Sequence, residues 1–241
     1  MPTQKKLSTI DTLPVNFNLA EFKKATPIDE SNIWTLLLER NGDRIGVKRH
    51  KSAIENIRNI LLSTFRLANR VGFHAMSLRD LSTETGLSMG GLYGYIESKD
   101  QLASMIEDME HHVMELMLTW FAHIPAPLDR LESTIRAFIY LSDIFQPWLY
   151  FVFLESRSLQ LAQRDIAKST ELVFQEHIAT LLKETGRFSG EDHRLFAAHC
   201  MSLVQDWPLK RWKYRAAGID ADRFADSIIR LIRTYIGTQH R

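Results

Sequence analysis

The sequence predicts an all-α protein, and three observations carry that prediction. Apolar residues recur at the 3.6-residue period almost throughout after Lys48, glycines and prolines interrupt that pattern at helix-length intervals, and runs of alternating Val, Ile and Thr that would mark strands are absent. The 241 residues are 45% hydrophobic and 24% charged, the balance of a folded globular chain and not of a disordered one.

Residues 1–47, broken at Pro14 and Pro27, read as an N-terminal extension with one short helix. In it Ile33, Trp34, Leu37 and Leu38 share a face, Asp29 and Ser31 offer N-caps, and Gly42 stands where a C-cap would. From Lys48, residues Ile54, Ile57, Leu61, Phe65 and Ala68 give one face of a first long helix that ends at Gly72. A short helix follows, opened by the capping pair Ser77 and Asp80 and stopped by Gly86. After the turn Gly86-Leu87-Ser88 comes a second short helix from about Met89 to Ile96. Ser98, with Gln101 as its box partner, opens a longer one that runs to about Phe121, before Pro125 and Pro127. Further helices are expected near 128–144, 147–157, 160–185, 190–216 and 220–237, separated by Gln146-Pro147, Gly186, Gly190 and Gly218.

Composition excludes several classes. Cys200 is the only cysteine, so no intrachain disulfide forms, and nothing at the N-terminus has the layout of a signal peptide; a cytoplasmic location is the expectation. The longest apolar stretches, Trp148–Leu154 and Ile228–Ile236, fall well short of the roughly 20 residues that a membrane-spanning helix needs. The net charge of +1 argues against a general nucleic-acid binder, but residues 48–100 carry net +3 and residues 101–241 net −2. A mildly basic segment joined to a mildly acidic one fits a chain in which only the first meets phosphate.

Three helices with a glycine-containing turn before the last have the layout of a helix-turn-helix, whose last helix lies in the major groove. The run Gly72-Phe-His-Ala-Met-Ser-Leu-Arg-Asp-Leu-Ser-Thr-Glu-Thr-Gly-Leu-Ser-Met-Gly-Gly-Leu-Tyr-Gly-Tyr-Ile-Glu-Ser-Lys-Asp-Gln101 closely resembles, without a gap, the DNA-binding domain of the TetR family of transcriptional regulators. The resemblance reaches back through the first long helix over roughly 50 residues and implies a DNA-binding domain at 48–110. It implies a larger helical ligand-binding and dimerisation domain at 111–241, in a homodimer that binds a double-stranded DNA operator and a small-molecule effector, with no cofactor, metal or membrane. The residues implied for DNA are Lys51, Ser77, Arg79, Ser88, Met89, Gly90, Gly91, Tyr93, Tyr95 and Lys99. Ser88 caps the recognition helix. Tyr93 and Tyr95 offer hydroxyls to phosphates, Lys99 matches the family's phosphate-binding lysine, and Arg79 matches a position that reaches a base edge or phosphate. Lys48, Arg49 and Lys51 precede the long helix and are candidates to lie along the DNA backbone.

The sequence departs from the family pattern at Met89, Gly90, Gly91 and Gly94, where longer polar or basic side chains are common. Direct base readout is therefore expected to be thin. Each glycine also costs up to about 1 kcal/mol of helix stability relative to alanine.

Other signals weigh less. Gly86-Leu87-Ser88-Met89-Gly90 matches a nucleophile elbow, but a capped helix precedes the serine where the elbow needs a strand, so no enzyme is expected. His111, His112, His193, His199 and Cys200 are not spaced to share one metal ion. The aromatic stretch with Phe145, Trp148, Tyr150, Phe151 and Phe153 reads equally as core or as pocket lining. With Glu155, His199, Gln205, Trp207, Lys210 and Arg211 it supplies the candidate ligand residues, Pro208 kinking the helix beside them. The string Trp207-Pro-Leu-Lys-Arg-Trp212 is similar to the C-terminal domains of family members that respond to fatty acids and acyl-CoA. Its basic residues serve either an anionic head or a solvated helix end. Phe224, Ile228, Leu231, Ile232 and Tyr235 cover more than one face of the last helix and are the expected dimer interface. The leading expectation is a repressor released by an amphiphilic or apolar effector, acyl-CoA or fatty acid among them. The alternative is a DNA-bound interaction protein that signals to a protein partner without an inducer.

Overall fold

The computed structural model describes residue 10, residues 12–42, residue 45, residues 50–155 and residues 161–238. Among them it has eleven α-helices and no strand. They are α1 (Leu19–Ala25), α2 (Ile33–Arg40), α3 (His50–Val71), α4 (Leu78–Thr85), α5 (Met89–Tyr93), α6 (Lys99–Thr119), α7 (Pro127–Ile144), α8 (Gln146–Glu155), α9 (Leu161–Glu184), α10 (Asp192–Ala216) and α11 (Ala221–Thr238). No single helix among the described residues is long and apolar enough to cross a membrane.

The chain divides into two compact units, each discontinuous in sequence. One holds residues 29–112 and 147–168. Its core combines the inner faces of α2 to α6, with Leu37, Ile57, Leu61, Leu81, Leu92, Ile96 and Ile106 fully buried. An aromatic cluster joins α2, α3 and α8 in this unit: Trp148 lies 5.5 Å from Trp34 and 5.4 Å from Phe65, and Phe151 lies 5.0 Å from Phe73, ring centre to ring centre.

The other unit holds residues 1–28, 113–146 and 169–241. α7 is its central helix, packed against α1, α10 and α11, and the Phe138 and Phe174 rings stack at 4.8 Å to join α7 to α9. Cys200 is buried in α10, and burial pushes its thiol up to about 12, so it serves as packing.

The N-terminal stretch departs from the single expected helix. α1 also forms because Asn18 and Glu21 make a reciprocal capping box, and only Phe22 of its seven residues is buried, too short an apolar pattern to show a period. The two helices part company: α1 belongs to the unit built on α7, whereas α2 belongs to the unit of α3 to α5. Asn32, not Asp29 or Ser31, precedes α2, and the Asp29 carboxylate instead accepts from the amides of Ser31 and Asn32.

The dimer-interface expectation on α11 needs correction. Phe224, Ile228 and Ile232 are buried inside their own chain, at 5% exposure or less, because α7 and α10 cover that face. Of the five expected residues, Leu231 at 54% and Tyr235 at 41% remain on the surface.

Candidate DNA-reading surface

The turn between α4 and α5 is built from local hydrogen bonds. The Asp80 amide donates to Ser77 Oγ, and the Asp80 carboxylate accepts from the Ser77 amide and hydroxyl at 2.8 and 2.7 Å, which holds its carboxyl below the usual range. Gly86 ends α4 with φ at 73°, a left-handed conformation that favours glycine. Ser82 Oγ then donates to the Leu87 carbonyl, Asn59 of α3 to that of Thr85, and Ser88 Oγ accepts the Gly91 amide at 3.1 Å to cap α5. Arg66 and Arg70 of α3 both pair with Glu84 of α4, linking the two helices at the surface. Leu92, fully buried, is the single anchor of the five-residue α5.

This frame leaves Ser77, Arg79, Ser88, Gly90, Gly91 and Tyr93 exposed and Met89 half-buried. Tyr93 is 52% exposed, its phenol out in solvent. A methyl added at Gly90 would meet no heavy atom within 4 Å, so no contact inside the chain demands glycine there.

Two expected DNA contacts have other duties. Tyr95 is a correction: it is 5% exposed, and its hydroxyl accepts from Asn56 Nδ2 at 2.8 Å, because it follows Leu92 by one turn and shares that residue's core face. It ties α5 to α3 and has no surface to offer phosphate. Lys99 Nζ donates to the carbonyls of His74 and Met76, each at 2.7 Å, and sits 5.2 Å from the centre of the Phe73 ring. Burial lowers its pKa against the opposing pull of Asp100. Two of its three N–H donors thus pin the loop before α4, leaving one for a phosphate. The Lys51 side chain, and Lys48 and Arg49, lie outside the described residues.

The expected ligand residues fall into separate groups. Trp148 and Phe151 join the aromatic cluster of the helix-turn-helix unit, and the Glu155 carboxylate accepts the Phe73 amide at 3.1 Å, just after the left-handed Gly72. Those three therefore buttress the loop into α4. In the other unit, Trp207 packs on Phe224 at 4.9 Å and Tyr214 at 5.6 Å. The indole N–H of Trp207 and the Gln205 amide nitrogen are buried without a hydrogen-bond partner. His199 is exposed on α10. Pro208 kinks α10, leaving Lys210 in non-helical conformation (φ −129°, ψ 26°).

The basic string is already engaged. Lys210 and Lys213 pair with Asp206, and Arg211 and Arg215 with Asp143. Burial alone would raise the Asp206 carboxyl, but hydrogen bonds from Lys213, Tyr214 and Lys210 outweigh it and hold it down at about 2. A groove of about 590 Å³ runs beside α11, lined by Leu203, Tyr214, Ile219, Arg223, Arg230 and Leu231 among others.

Sequence reasoning passed over Glu107. It lies on the inner face of α6 at 1% exposure, and neither carboxylate oxygen has a hydrogen-bond partner. Burial, and then the neighbouring Glu110 charge, push its carboxyl up to about 8.

Residues 60–106, which span most of α3, all of α4 and α5 and the start of α6, match the family of bacterial regulatory proteins described as the tetR family. That segment is a tetR-family DNA-binding domain. Solved structures agree on the fold. AibR, in its complex with isovaleryl coenzyme A and operator DNA, superposes with a TM-score of 0.62 at 20% identity over 72% of this chain and 96% of AibR. A tetR-family regulator from Rhodococcus RHA1 gives 0.62 at 21% identity over 72% of this chain and 93% of its own. The superantigen pfit shares the fold too, at TM-score 0.58 and 16% identity over 81% of this chain and 96% of that one. No curated protein matches the chain. The tetR-type DNA-binding domain coincides with the helix-turn-helix just described.

Proposed function

We propose that this regulator reads a specific operator as a homodimer and represses from it until a small amphiphilic or apolar molecule binds the second unit. The observation that carries the reading is the exposed strip of Arg79, Ser88, Gly90, Gly91 and Tyr93, held on two short helices whose caps and ion pairs are complete. In the major groove, Arg79 offers a guanidinium fork to a base edge or phosphate, Tyr93 a hydroxyl to the backbone, and Lys99 its remaining N–H to a phosphate. With so few long side chains on α5, DNA shape and close backbone approach carry much of the specificity. Cytoplasmic residence follows from a DNA target.

AibR's complex with isovaleryl coenzyme A supports an acyl-CoA or fatty acid as the effector class. The chemistry for it here is the kinked stretch of α10, where Trp207 and Gln205 hold unpartnered polar atoms beside Lys210 and Arg211. An anionic head there would have to draw those cations from Asp206 and Asp143. Leu231, Tyr235 and the groove beside α11 are the surface that a second copy would cover.

Selection on randomised duplex DNA tests the first claim, with enrichment of a two-fold repeat whose half-sites stand about one helical turn or a multiple of it apart as the expected result. No enrichment over random sequence overturns it. Titration calorimetry with isovaleryl-CoA, a long-chain acyl-CoA and a cationic dye then separates effector classes. Release of the operator by the dye alone would refute the anionic amphiphile.

A further inference from the structure

The N-terminal segment is built as a filler. Ile10, Phe17, Phe22 and Ile28 are all at most 2% exposed. Phe17 stacks on Phe121 at 5.7 Å and meets the Tyr140 edge at 5.9 Å, and Phe22 lies 6.2 Å from Trp120 and 5.7 Å from Tyr140. Beside these rings Asp222 of α11 accepts the Leu19 amide at 2.8 Å and the Tyr140 hydroxyl. The nearby Arg136 is already paired with Asp226 at 2.6 Å.

The attachment is short and local. α1 has seven residues, far fewer than the roughly 12 to 15 at which a helix holds alone, so its order depends on what it covers. Of its hydrogen bonds to the body of the unit, that of Leu19 is short, whereas the Ile10 amide to the Trp120 carbonyl and the Tyr140 hydroxyl to the Phe17 carbonyl both stretch to 3.4 Å.

Lifting this segment would uncover an aromatic wall of Trp120, Phe121 and Tyr140 with one carboxylate, Asp222, that has lost its N–H donor. Because Arg136 and Asp226 neutralise each other, the uncovered site carries a net negative charge. Rings that accept a cation on their faces, next to a carboxylate that keeps the Tyr140 hydroxyl but has lost the Leu19 amide, are the complement of an aromatic amine in its protonated form. Phe17, Phe22 and the Leu19 amide already supply the neutral version of that chemistry from within the chain.

We propose that Ile10 and residues 12–28 form a detachable strap, and that beneath it lies a binding site for a cationic aromatic amine. The proposal goes beyond operator binding and stands independently of it. The probe is tryptamine, an indole bearing an ammonium group. Hydrogen exchange on the full-length wild-type protein should show residues 12–28 exchanging by a faster opening than α7 and α11, and faster still with tryptamine. Exchange of 12–28 at the rate of α7, with and without tryptamine, overturns the strap. By calorimetry, Phe17→Ala should bind tryptamine at least tenfold more tightly than wild type, and adding Asp222→Asn should reverse the gain. Affinity unmoved by Phe17→Ala, or a gain that survives Asp222→Asn, overturns the site. Should Phe17→Ala fail to fold, the exchange measurement on wild type alone still decides.

Discussion

Replacing Glu107 by glutamine should make the protein more stable, by an amount that grows as the pH rises from about 4.5 to about 8. The side chain is 1% exposed, and both oxygens lack partners. Burial first and Glu110 second raise its carboxyl from 4.5 to about 8. Between those values the folded chain keeps the proton that the unfolded chain has released, so stability falls as pH rises from the lower to the higher value. Below the lower value the effect is absent, and above the higher one the full cost of burying a carboxylate is felt. At about 1.4 kcal/mol per pKa unit, the window amounts to a few kcal/mol, on the order of 3 to 5. Glutamine keeps the shape and the unpartnered polar atoms but cannot ionise. Urea unfolding followed by tryptophan fluorescence should therefore give nearly equal midpoints for wild type and Glu107→Gln at pH 4. At pH 9 the variant should be ahead by a few kcal/mol. An offset that stays constant across that range would refute the reasoning, since it would show that Glu107 ionises freely in the folded state.

Gly90→Ala should raise the melting temperature, by up to about 1 kcal/mol of helix propensity, because the added methyl meets nothing within the chain. Operator affinity should fall at the same time; a variant both more stable and equally tight would show that nothing approaches this face closely. Lys99→Ala should lower stability by about 1 to 3 kcal/mol, through the freed carbonyls of His74 and Met76, as well as weaken binding to every sequence. Arg79→Ala should leave melting unchanged and relax preference at one base pair by about 1 to 3 kcal/mol, so a selection experiment that returns the same operator would reduce Arg79 to a phosphate contact. Leu231→Glu should yield a folded monomer by sedimentation. Ile228→Glu, which buries a charge inside the protomer, should lose the fold itself; the opposite pattern would put the interface elsewhere.

The elements that were legible in the sequence are those fixed by neighbours a few residues away. Ser77 with Asp80, the left-handed Gly86, and Ser88 with Gly91 are all contacts within four residues, and they place the helix-turn-helix. The capping box at Asn18 is equally local but went unread, because the seven-residue helix behind it buries one side chain and so shows no period. Tyr95 follows the same logic: one helical turn after Leu92 and next to Ile96, its position already pointed to the core, and reading its hydroxyl as a phosphate donor overlooked that signal. Contacts across the chain could not be read at all. Lys210 with Asp206 is a four-residue pair visible in sequence, but Arg211 finds Asp143 at a separation of 68 residues. A basic string that looks free in sequence is thus half-neutralised in the fold. The same limit explains α11, whose apolar residues are too many for an exposed helix. The sequence counts them correctly but cannot say whether a second copy or the protein's own α7 and α10 will cover them. In this fold the protomer itself covers most of them, so Leu231 and Tyr235, not the whole apolar face, are where assembly has to be tested.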